Sequence, residues 1–136
     1  MTDFTLDERL SADSLPFCRT DMSLLRVSRD ARFPWLILIP QRDGLADLAD
    51  LSPDDETRVM ADVRAVSLAL RAITKCDKLN VASLGNMVRQ LHVHIIARFE
   101  DDAAWPGPIW GVGEAEPLDA VPDWAQSVRA SLGWSA

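Results

Sequence analysis

The chain contains two histidines, His92 and His94, within Gln90-Leu91-His92-Val93-His94-Ile95-Ile96-Ala97-Arg98. The apolar and β-branched content of this run predicts a strand. Successive strand side chains point to opposite faces, so Gln90, His92, His94, Ile96 and Arg98 share one face and Leu91, Val93, Ile95 and Ala97 the other. The second set is core. The first sets two imidazoles beside an amide and a guanidinium, and three roles fit such a row. Histidines at a core edge serve as hydrogen-bonded structural residues. Imidazoles at i and i+2 can share a metal, although no CxxC or paired-carboxylate pattern nearby supplies a third ligand. Imidazole, with an ordinary pKa of about 6.5, is also mostly neutral at pH 7 and suited to nucleophilic and acid–base chemistry on phosphate.

Several elements must position this row. Residues 6–14 predict a short helix, with Leu6 and Leu10 at helical spacing, interrupted by Pro16. Residues 15–19 suit an edge strand, where proline is tolerated. Residues 24–28 predict a second strand with Leu25 and Val27 opposed to Arg26 and Ser28, and 29–34 a turn. The apolar run Trp35-Leu36-Ile37-Leu38-Ile39, ended by Pro40, predicts a central strand buried on both faces. A short helical turn or helix is expected at 45–51. Ser52 as N-cap, Pro53 at the first helical position and Asp54, Asp55 and Glu56 beside the positive helix end mark a long helix running to about Lys75. Val59, Val63, Val66, Leu70 and Ile73 form its apolar stripe. Residues 78–84 predict a strand, Gly85-Asn86 a turn, and the short link makes this strand an antiparallel neighbour of the histidine strand. Trp105-Pro106-Gly107-Pro108-Ile109-Trp110-Gly111 is too rich in proline and glycine for regular structure. A last helix over about 122–132 carries Trp124, Val128 and Leu132 on one side.

With 136 residues the chain is expected to form a single domain over 1–136 that buries its core without disulfides or metals. No apolar run approaches the roughly 20 residues of a membrane span, and the acidic N-terminus lacks the features of a secretory signal. A soluble, cytoplasmic protein is expected. Cys18 and Cys76 read as buried thiols rather than a disulfide framework or zinc site. The net charge of -7 argues against a stable nucleic-acid complex or anionic membrane binding. A small anionic ligand, read by the local field, stays compatible with it.

The run from Gln90 to Ile96 resembles the signature of the histidine-triad (HIT) superfamily, three histidines alternating with apolar residues, with the first replaced by glutamine. The buried strand ending at Pro40, the acid-started helix, the strand carrying Asn80, the Gly85-Asn86-Met87-Val88 turn and the later Trp-Pro-Gly follow in the family's order, over about 24–111. The resemblance implies an α+β fold: an antiparallel sheet of about five strands, one long helix packed on it, shorter terminal helices, and a homodimer. It implies a nucleotide hydrolase or nucleotidyl transferase acting at the α-phosphate of a phosphoramidate or dinucleoside polyphosphate. His92 would be the nucleophile, His94 the phosphate-stabilising partner and Gln90 an orienter. Backbone N–H groups around Asn86 to Val88 would add an anion-binding concavity. Asn80 and Ser28 would approach nucleophile, ribose or phosphate, and Trp105 the leaving-group side. No cofactor is implied; a divalent metal would arrive only with a polyphosphate substrate.

The departures from the pattern matter. Gln90 hydrogen-bonds but carries no positive charge, Met87 stands where many members have Ser or Thr, and Pro34-Trp35 and Pro40-Gln41-Arg42-Asp43 replace Gly-His and Pro-x-x-His. They raise a second hypothesis, a nucleotide-binding sensor with weak turnover. A third is an interaction protein using the Trp-Pro-Gly loop. Arg98 either meets a distal phosphate or is a solvated strand-end charge. Trp105 and Trp110 either line a pocket, fill a dimer seam or pack the C-terminal segment.

Overall fold

A computed structural model describes residues 4–136. Five strands, β1 (Ser14–Arg19), β2 (Ser23–Ser28), β3 (Trp35–Pro40), β4 (Lys78–Ala82) and β5 (Val93–Arg98), form one antiparallel sheet in the order β1-β2-β3-β5-β4. Three α-helices, α1 (Glu8–Ala12), α2 (Pro53–Thr74) and α3 (Asp123–Leu132), and one short 3-10 turn at Leu48–Asp50 accompany it among the described residues. This is the expected α+β architecture.

The central place of β3 follows from its composition: Leu36, Ile37, Leu38 and Ile39 are all buried, and such a run is stable only with both sheet faces covered. One face, carrying Leu36, Leu38, Leu91, Val93, Ile95 and Ala97, packs with Val59, Val63, Val66, Ala69 and Leu70 of α2 and Ala125 and Val128 of α3. The other face is covered in two patches. Leu10 joins Ile37 and Ile39 beneath the N-terminal segment, and Phe33 and Ile109 meet Ile96 beneath the tryptophan loop.

Local signals explain the boundaries. Ser52 Oγ accepts from the Asp55 N–H and Pro53 occupies the first turn of α2, while Lys75 ends it in the left-handed region at φ 55°. Ala69, not Ile73, completes the buried stripe; Ile73 in the last turn is exposed. Helix α1 is shorter than expected because Asp7 caps it, Oδ1 accepting from the Arg9 N–H at 2.8 Å, and because Ser14 already belongs to β1. Pro16 sits in that edge strand beside a register shift. Strand β5 starts at Val93 rather than Gln90, since the Leu91 N–H is spent on the Leu45 carbonyl at 2.9 Å. Strand β4 ends at Ala82, opposite His94. Residues 83–92 are therefore a loop longer than the expected turn, bending at Gly85 with φ +78°, a conformation that favours glycine.

Candidate active site

A cavity of about 440 Å³ opens between the second sheet face, the N-terminal segment and the 84–88 loop. His92 and His94 line it, both more than nine-tenths buried, with ring centroids 4.9 Å apart and planes at 78°. Trp110 packs edge-on against His94 at 5.1 Å and against Trp35 at 6.3 Å.

Hydrogen-bond partners determine the imidazole tautomers. His92 Nδ1 lies 2.6 Å from the Gln90 carbonyl oxygen. A carbonyl only accepts, so Nδ1 carries the proton and donates, leaving the Nε2 lone pair available. For His94 the logic reverses. The Trp35 indole N–H donates to His94 Nδ1 at 3.0 Å, and an indole only donates. Neutral His94 thus carries its proton on Nε2. Burial, then the neighbouring charge at His92, pushes His94 from 6.5 down to about 4, so this ring is neutral at pH 7. The pair presents one imidazole with a free Nε2 lone pair and one with an Nε2–H.

The His94 shift links to stability. Between pH 6.5 and about 4 the unfolded chain binds a proton at His94 that the folded protein refuses, so stability falls as pH drops through this window. The full loss, below pH 4, corresponds to about 3 kcal/mol. Thermal melts between pH 7 and pH 4.5 should show a steeper acid decline in the native protein than in His94→Gln; equal slopes would contradict the neutral, buried ring.

Other expected residues divide sharply. Ser28, Gly85, Asn86, Met87 and Val88 line the cavity. The backbone N–H groups of Asn86, Met87 and Val88 donate to no acceptor among the described residues. They are therefore available to an anion. Arg98, Asn80 and Trp105 lie outside the cavity wall, which corrects their expected placement. Ile96 explains why: it stands between His94 and Arg98 on the same strand face and packs with Phe33 and Ile109, separating the two ends. Arg98 is neither solvated nor free for phosphate. Its guanidinium, 1% exposed, donates to Asp102 Oδ2 at 2.8 Å and Oδ1 at 3.0 Å, to Asn80 Oδ1 at 2.7 Å and to the Gly107 carbonyl at 2.9 Å. Trp105 covers that guanidinium at 5.7 Å. Gln90 is a further correction: its side chain is absent from the cavity wall and binds the N-terminal segment, while its backbone carbonyl orients His92.

Leu10, Asp13, Trp35, Ile37, Leu84 and Trp110 complete the wall. Trp110, for which the sequence leaves pocket, dimer seam and packing open, lines the pocket. The signal for Trp35 was its place at the start of a buried strand, on the face that antiparallel pairing presents to the histidines. Among the described residues no group of three His, Cys, Asp or Glu side chains is arranged to hold a metal, and no helix is long and apolar enough to cross a membrane. Cys18 is buried, and desolvation pushes its thiol up to about 11, where it is inert at neutral pH.

The chain matches the family model for the HIT domain over residues 9–101. Among solved structures it is similar to a histidine triad protein from Bradyrhizobium japonicum, at 43% identity and TM-score 0.92, covering 95% of this chain and 98% of that one. A histidine triad protein from Sinorhizobium meliloti is 41% identical, with TM-score 0.89 and 95% and 97% of the two chains covered. One from Marinobacter aquaeolei is 36% identical, with TM-score 0.85 and coverage of 95% and 93%. No curated protein matches.

Proposed function

The chain belongs to the histidine-triad (HIT) family, and from that premise we propose that it is a nucleotide hydrolase or nucleotidyl transferase acting at an α-phosphate. The observation that carries this reading is the complementary tautomer pair: His92 offers an Nε2 lone pair while His94 offers an Nε2–H, 4.9 Å apart by ring centroid. In the proposed reaction His92 Nε2 attacks the α-phosphorus, a P–N bond forms, and the bond to the leaving group breaks. Water or another acceptor then attacks phosphorus, the P–N bond breaks, and nucleoside monophosphate or its transfer product leaves. His94 Nε2–H and the backbone donors of Asn86 to Val88 stabilise the phosphoryl oxygens as charge builds. The Gln90 side chain is committed elsewhere, so the leaving group takes its proton from water.

The substrate class is a nucleoside phosphoramidate or dinucleoside polyphosphate, and no cofactor is required. We extend the proposal to a homodimer: β4 is a sheet edge with Val81 exposed, the kind of edge that pairs with another strand. One observation favours the second reading, a nucleotide sensor with weak turnover. Among the described residues Asp13 is the only Asp, Glu, Lys or Arg side chain lining the cavity, and none of that type there supplies a cation to a polyphosphate.

Steady-state release of monophosphate from adenine and guanine phosphoramidates and dinucleoside polyphosphates tests the enzyme reading. Turnover of at least one is expected; binding without turnover across the panel would favour the sensor. Trp35→Phe, which keeps an aromatic ring and deletes the donor to His94, should lower kcat/KM about tenfold. Unchanged kinetics would contradict the role of the indole in selecting the tautomer.

A further inference from the structure

We infer that Gln90 is a positioning residue whose side-chain amide clasps the N-terminal segment to the sheet and thereby holds the Leu10 wall of the cavity. Gln90 Oε1 accepts from the Asp7 N–H at 2.8 Å, and Nε2 donates to the Thr5 carbonyl at 2.8 Å. The amide thus pairs with a main-chain carbonyl and N–H two residues apart, as a neighbouring strand would. Among side chains ionised as at neutral pH, only the primary amides of Asn and Gln carry donor and acceptor side by side on one carbon. The two nitrogens of an imidazole diverge, so histidine at this position satisfies one partner at most.

The clasp matters because the segment it holds cannot hold itself. Helix α1 has five residues, too short for independent stability. Its other ties are Leu10 packed on Ile37 and Ile39, with Phe4, Leu6 and Val88 around them, Arg9 Nη1 donating to the Met87 carbonyl at 3.0 Å, Arg26 Nη2 donating to the Ser11 carbonyl at 3.2 Å and the Ser14 hydroxyl donating to the Leu10 carbonyl. Leu10, Ile37, Met87 and Val88 all line the cavity. Glutamine at the first motif position therefore exchanges an acid for a fixed apolar wall. That the wall meets a nucleotide rests on the function proposed above; the clasp itself does not.

The test is a double-substitution cycle with Gln90→Met, which keeps side-chain bulk and the backbone carbonyl on His92, and Asp7→Pro, which deletes the N–H. The φ of -56° at Asp7 admits proline, and Asp7→Ala controls for the lost helix cap. Gln90→Met should raise KM for nucleotide about fivefold with kcat held within about twofold, and Gln90→His should match it. Combined with Asp7→Pro it should cost less than the sum of the two, since both remove the bond from the Asp7 N–H to Gln90 Oε1. A fall in kcat at unchanged KM, or additive effects, would overturn the proposal. The clasp is also read without turnover: amide exchange at Asp7 should rise about tenfold in Gln90→Met. Unchanged exchange overturns the clasp even in an active enzyme, whereas raised exchange in an inactive one supports the clasp and overturns only the chemistry.

Discussion

Replacing His92 by alanine is expected to lower turnover of a nucleotide substrate by about 10³-fold or more, because the covalent route loses its nucleophile. Nucleotide binding should survive, since the cavity wall draws on β2, β3, the 84–88 loop and α1 as well as on His92. The ring is held in place by the backbone carbonyl of Gln90, so its removal leaves that main chain intact. Stopped kinetics together with a binding titration check both halves. A His92→Ala protein with near-native turnover would exclude the assigned nucleophile, and one that neither binds nor melts cooperatively would show that the imidazole serves the fold. His94→Gln is expected to behave differently, with slow turnover rather than none, because an amide N–H still donates to a phosphoryl oxygen.

The second large effect concerns stability. Breaking a buried ion pair from one side leaves an uncompensated charge, at a cost of about 3–5 kcal/mol. Arg98→Met should therefore destabilise the protein by about that amount, read as a lowered urea midpoint. Asp102, which accepts two guanidinium bonds and the N–H groups of Phe99, Ala104 and Trp105, ties β5 to the loop that follows it. Arg98→Met combined with Asp102→Asn should cost less than the sum of the two substitutions. The Arg98 guanidinium, then those backbone donors, hold the Asp102 carboxyl far below its ordinary 3.8. Its folded value is depressed, so the stabilisation is present above the ordinary value and is lost as pH falls through the folded one. Asp102→Asn should flatten the acid limb below about pH 4, where the unfolded carboxyl begins to bind its proton. A loss under 1 kcal/mol in Arg98→Met would contradict the buried pair.

These residues also show what the sequence makes legible. The alternation in β5 assigns Leu91, Val93, Ile95 and Ala97 to the helix-covered core and the histidines to the other face, because strand periodicity is local. The same holds for the β3 apolar run and for the start of α2, where Ser52 and Pro53 act within one turn. Gln90 and Trp35 are different. Gln90 binds Thr5 and Asp7, and Trp35 reaches His94 across paired strands. No periodicity encodes such pairings, and a glutamine in a histidine's place invites a chemical reading where the structure shows an architectural one. Arg98 misleads for a related reason: a strand-end arginine is usually solvated, and its burial follows from the return of the 102–107 loop over β5.

The central claim is that nucleotide becomes covalently attached to His92. The most direct measurement mixes the protein with substrate radiolabelled at the α-phosphate, quenches within the first turnover, and maps acid-labile label by peptide. Label on the peptide containing His92, absent from His92→Ala and released as monophosphate or transfer product on longer incubation, is the expected result. Monophosphate release with no labelled intermediate at any quench time, at an undiminished rate in His92→Ala, would contradict it.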